Sequence, residues 1–63
     1  MDEHEQRAFR YRQRAEELRA ILTDMKDQLS RETLVKIAAD YDHLADIQDG
    51  LARELKDKQR LQN

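Results

Sequence analysis

The 63-residue sequence has no cysteine, no proline and no tryptophan, a single glycine, and only two tyrosines and one phenylalanine. Without cysteine there is no disulfide framework and no thiolate metal site, a usage that suits a cytoplasmic protein. The opening MDEHEQR is polar and acidic, unlike a secretory signal. No run of apolar residues reaches the 18 or so needed to read as a membrane span. The shortage of glycine leaves no phosphate-cradling loop and no nucleophile elbow. Nearly all carboxylates fall on outward helical positions, and a thin helical fold has little room for a desolvated site. The expectation is a non-enzyme with no cofactor.

Charged residues make up 41% of the chain, and the formal net charge is only −2. Ala, Glu, Lys, Leu, Arg and Gln dominate, the profile of a long helix or coiled coil. The apolar positions are regular enough to set disorder aside. Ala8, Tyr11, Ala15, Leu18, Leu22, Met25 and Leu29 are spaced alternately by three and four. Leu34, Ile37, Tyr41, Leu44, Gln48, Leu51 and Leu55 resume the same alternation. Each run is a heptad seam. The five-residue step from Leu29 to Leu34 breaks the phase, as a turn between two helices does.

Helix ends are legible from capping residues. Asp2 followed by Glu5 forms a capping-box-like start. At the turn, Ser30 as N-cap would pair Leu29 with Leu34 as a hydrophobic staple, and Asp27 is the other candidate. The reading is a first helix over about 3–25, a connection within 25–29 and a second helix from about 29 to 49 or beyond. Gly50 either ends that helix or softens it. A short connection makes the helices antiparallel neighbours. Facing residues then have numbers summing to roughly 55 or 56, with Leu22 beside Leu34, Leu18 beside Ile37, Ala15 beside Tyr41, Tyr11 beside Leu44 and Ala8 beside Gln48. The tail from 51 is a helical extension, overhanging or frayed.

The stretch RAFRYRQR at 7–14 carries four arginines. In this register it lies beside an acidic strip: residues 31–50 hold two positive and five negative charges. Arg7, Arg10 and Arg14 flank one edge of the seam and Arg12 the other. The arginines are therefore expected to answer aspartates such as Asp42, Asp46 and Asp49, which disfavours a parallel arrangement. A nucleic-acid surface needs a face that stays basic after folding. That alternative rests on residues 7–14 or on the mildly basic tail, 53–60. A further alternative is a metal-binding bundle, because Asp40 and His43 echo the Glu-x-x-His spacing of carboxylate-bridged metal bundles. No glutamate on the first seam completes such a set.

Several apolar residues fall off the seam: Phe9, Ile21, Val35 and Ile47. Ala38 and Ala45 form a small-residue column beside the second seam, and Leu55 lies on the overhang. These seven are the candidate interface. Covering them with a second copy would give a two-fold, four-helix bundle. The function read from the sequence is a non-enzymatic helical interaction or self-assembly module with homodimer favoured, or one that meets another helical protein.

With YRQRAEELR at 11–19, MKD at 25–27 and LVKIAADYDHLAD at 34–46, the chain resembles a group of small uncharacterised proteins common in alphaproteobacterial genomes. The likeness spans residues 11 to 46. It implies a bacterial, cytoplasmic helical hairpin and carries no activity or functional residue. In that group a proline often follows the turn aspartate; here Gln28 follows Asp27.

Overall fold

The computed structural model describes residues 2 to 62, with the side chain of residue 62 left aside. Two helices account for it: α1 over Glu3–Asp24 and α2 over Gln28–Gln62, joined by residues 25–27. They pack antiparallel into an all-α hairpin. The body measures 55 × 16 × 11 Å, so its length is essentially that of the 35-residue α2. The radius of gyration is 15.5 Å, where a compact domain of this length has about 11 Å.

Each helix starts on an aspartate. The Asp2 carboxylate accepts the Glu5 N–H at 2.8 Å, and its carbonyl accepts the Gln6 N–H. At the turn Asp27, not Ser30, is the cap. Its carboxylate takes the Ser30 N–H at 2.9 Å and the Ser30 hydroxyl at 2.6 Å, while its carbonyl takes the Arg31 N–H. One aspartate thereby satisfies an orphan donor and begins the helical ladder a turn earlier. The Leu29–Leu34 staple expected from a Ser30 cap is replaced by an outward Leu29, 74% exposed. The other side of the turn is closed by Arg31, which donates to the carbonyls of Leu22 at 2.6 Å and Met25 at 2.8 Å. A cation there meets the exposed carbonyls and the negative end of the α1 dipole.

The interior is built on alanine. Among the described residues the buried ones are Ala8, Ala15 and Leu22 on α1, and Ala38, Ala45 and Ala52 on α2. Both sets repeat every seventh residue. The seam of α2 is therefore Leu34, Ala38, Tyr41, Ala45, Gln48 and Ala52. Ile37, Leu44 and Leu51, expected inside, lie at the edge with 37–39% of their surface exposed. Relative to expectation α2 is turned about its axis by roughly half of one residue's 100° step. The reason is size. Tyr11 and Leu18 of α1 are large; facing Leu44 and Ile37 they would hold the helices apart. Facing alanines they interdigitate, and Ala15 in turn accommodates Tyr41. The tyrosines meet with ring centroids 6.0 Å apart and planes inclined by 34°.

The axial register stands as expected. Cross-helix partners straddle a sum of 55–56, from 52 for His4–Gln48 and Tyr11–Tyr41 to 61 for Arg19–Asp42 and Glu5–Lys56. Gln48, a polar residue at a seam position, accepts a hydrogen bond from the His4 ring Nδ1 at 2.7 Å. The pair satisfies what would otherwise be a lone polar group in the end layer.

Gly50 does not end α2, which runs on to Gln62. It has helical dihedrals, and a Cβ built there meets nothing within 4 Å. Gly50→Ala is expected to stabilise the hairpin by about 0.5–1 kcal/mol, since alanine restricts the unfolded chain without new strain. Urea unfolding followed by circular dichroism measures this, and a lowered midpoint would contradict it.

Candidate functional site

The hairpin has two unlike edges. On one, Glu5, Arg12 and Arg19 of α1 recur every seventh residue and meet Lys56, Asp49 and Asp42 of α2. Lys56 Nζ is 2.7 Å from Glu5 Oε1, Arg12 reaches Asp49 at 2.6 Å and Asp46 at 3.1 Å, and Arg19 pairs with Asp42. These contacts hold the Lys56 ammonium and the Arg12 and Arg19 guanidiniums above their ordinary pKa, mainly through the hydrogen bonds to Glu5, Asp49 and Asp42. Each pair is exposed and individually weak. Together they close this edge with a ladder that runs most of the hairpin's length.

The opposite edge has no ladder. The same rotation that brings Asp42, Asp49 and Lys56 to their partners turns Ile37, Leu44 and Leu51 outward there. Ile47 and Leu55 extend them into a stripe, each 44–45% exposed. From Ile37 to Leu55 this apolar line runs for about 27 Å. The α1 side of this edge carries Arg7, Arg14 and Ile21, with Arg10 one step farther out. Arg7 is held by Glu3 at 2.6 Å and Arg14 by Glu17 at 2.7 Å, both within α1. The bond to Glu17, and next that to Tyr41, keeps the Arg14 guanidinium above its ordinary pKa. Arg10 makes no ion pair among the described residues, nor do Asp40 and Glu54 on the outer border of the α2 stripe.

The candidate interface residues separate into three groups. Ile21, Ile47 and Leu55 belong to the open edge. Phe9 and Val35 lie toward the ion-paired side and are isolated, about 18 Å apart along the axis. Ala38 and Ala45 are corrected outright: at 1% and 0% exposure they are enclosed within the hairpin and present no surface to another molecule. Their small size serves the approach of α1. Ile37, Leu44 and Leu51 are not legible as surface in the sequence, because hydrophobicity alone places the larger residue of each neighbouring pair in the core. The signal that finds them is the matching heptad of alanines on α1.

No protein-family model matches this chain, and no curated protein or solved structure was found similar to it.

Of the arginine run, Arg12 is the one that ion-pairs with α2 among the described residues; Arg7 and Arg14 form their ion pairs within α1, Arg14 also reaching Tyr41, and Arg19, outside the run, supplies the second cross-helix ion-pairing arginine. The tail is likewise partly engaged, through Lys56. Asp40 and His43 are both exposed, and no three His, Asp or Glu side chains converge on a metal-sized position among the described residues. The surface hollows are shallow. One of about 400 Å³ lies beside the turn between Met25, Leu29, Ser30, Thr33 and Leu34.

The caps give the molecule an acid limit. The Asp27 carboxyl is held below its ordinary value of 3.8 by the Ser30 hydroxyl and then the Ser30 N–H, and Asp2 by the Glu5 N–H. A pKa lowered by folding contributes stability that is present above the unfolded value and lost as the pH falls through the folded one. Helicity near the thermal midpoint is expected to hold down to about pH 4 and to decline below it. Asp27→Asn keeps a capping oxygen without the titration. Its decline in acid, followed by circular dichroism, should be shallower than that of the unaltered chain; identical curves would remove Asp27 from the account.

Proposed function

We propose that this chain is a non-enzymatic helical interaction module, cytoplasmic and self-assembling, with a two-copy assembly as its working form. One observation carries the reading. The hairpin leaves 5149 Å² accessible to solvent, whereas a folded monomer of 7.6 kDa has about 4,300 Å². The excess is close to the ~800 Å² that each partner buries in a standard protein interface. A chain of this size gains most from oligomerisation, having neither disulfide nor enclosed core larger than leucine. A nucleic-acid role finds less support, since Arg7, Arg12 and Arg14 are each matched by a carboxylate of the same chain.

Sedimentation equilibrium over a wide concentration range tests the reading, with helicity followed alongside. The expected result is a two-copy mass with full helicity in the micromolar range. A fully helical monomer at every concentration would end the self-assembly reading.

A further inference from the structure

We infer that the second copy seats on the open edge, with the Ile37–Leu44–Ile47–Leu51 stripe at the centre of the interface, and that its helices run so that α1 of each copy lies over α2 of the other, bringing Arg10 and Arg14 toward the other copy's Asp40. This rests on the self-assembly reading and adds the face and the orientation.

The face follows from the asymmetry between the edges. The closed edge is already spanned by ion pairs from Glu5, Arg12 and Arg19, and placing it in an interface would require desolvating all of them. Its apolar residues, Phe9 and Val35, are too far apart to form one patch. The open edge offers a continuous apolar line whose members are each partly exposed. An apolar centre with a charged rim is the anatomy of a protein interface.

The orientation follows from the rim. On this edge the border of α1 carries Arg7, Arg10 and Arg14; Glu3 and Glu17 hold Arg7 and Arg14, and Arg10 has no ion pair among the described residues. The border of α2 carries Asp40 and Glu54 together with Lys36 and Lys58, each 18 residues from one of them and so on the same meridian of the helix; Asp40 is the carboxylate level with the arginines. Two hairpins can stack open edge to open edge in two ways. A two-fold axis perpendicular to the helices sets α1 over α1 and arginines over arginines. A two-fold axis along the helices sets α1 over the other copy's α2. Arg14 then lies about level with the second copy's Asp40, and Arg10 a little farther along. Arg10 and Asp40, unpaired within one chain, are then brought to the same stretch of rim, while Glu54 lies level with the start of α1, beyond the arginines. Complementary rims of this kind select orientation more than they add affinity.

The test uses the whole chain in sedimentation equilibrium, with circular dichroism reporting that each variant stays helical. Leu44→Lys with Ile47→Lys is expected to weaken the two-copy form at least about tenfold, because both residues are central and each occurs twice. Phe9→Gln with Val35→Gln should leave the mass unchanged. If the reverse holds, the face is wrong and assembly itself survives. A monomeric unaltered chain would overturn both.

Charge reversal decides the orientation. Arg10→Glu with Arg14→Glu should weaken association severalfold, as should Asp40→Arg, and the combination should recover most of the loss. In the crossed alternative α1 does not lie over α2 of the other copy, so the two reversals act independently and the combination recovers nothing. No loss from either, or losses that add in the combination, would overturn the orientation. Should Leu44→Lys with Ile47→Lys reduce helicity, Leu51→Gln on the same stripe gives the face a milder second test.

Discussion

Leu22→Ala is expected to cost the hairpin about 2–3 kcal/mol, the lower part of the range for buried leucine because the site lies next to solvent and can partly collapse. Leu22 is the largest buried side chain, 8% exposed, and closes the seam where the chain turns. Its carbonyl also receives Arg31, so the same residue ties packing to the cap of α1. A chain of this length has a total stability of roughly 3–9 kcal/mol. The loss is therefore between about a quarter and the whole of it, and the thermal midpoint should fall markedly. Thermal unfolding by circular dichroism reads it. A change below about 0.5 kcal/mol would mean that Leu22 behaves as surface, where substitutions usually have effects of that size.

The opposite substitution at the centre is expected to be as damaging. Ala45→Leu adds volume where the exposure is 0%, on the face turned to α1. Overpacking typically costs about 1–3 kcal/mol, because side chains leave their rotamers or backbones move apart. Here separation also lengthens the contacts of Arg12 with Asp49 and of Arg19 with Asp42, so the closed edge weakens together with the seam. The comparison with Leu44→Ala is informative. That change removes a large apolar group one residue away, on the outward edge, and within a single chain it should cost less than Ala45→Leu. Had the seam run through Leu44, the order would be reversed. Urea midpoints of the two variants, taken at a concentration where the chain is monomeric, decide between the two rotations of α2.

Much of the hairpin follows from local chemistry. The alternation of threes and fours demands helices, and its break between Leu29 and Leu34 demands a turn. Asp2 and Asp27 can cap because their carboxylates reach amide donors three residues on, a strictly local geometry. The antiparallel register follows from the short connection. These properties depend on residues near one another in the chain.

The rotation of α2 was decided only by tertiary packing. Two heptad phases, Ile37–Leu44–Leu51 and Ala38–Ala45–Ala52, run side by side, and hydrophobicity alone favours the first. The choice depends on what stands opposite: the bulk of Tyr11 and Leu18, and the placement of Arg12 and Arg19 against Asp49 and Asp42. Neither is visible from one helix at a time. The consequence reaches the surface. By burying alanines, the hairpin brings its helices together without enclosing its leucines and isoleucines. It thereby leaves a stripe of them along one edge, where helix-to-helix packing inside one chain cannot reach.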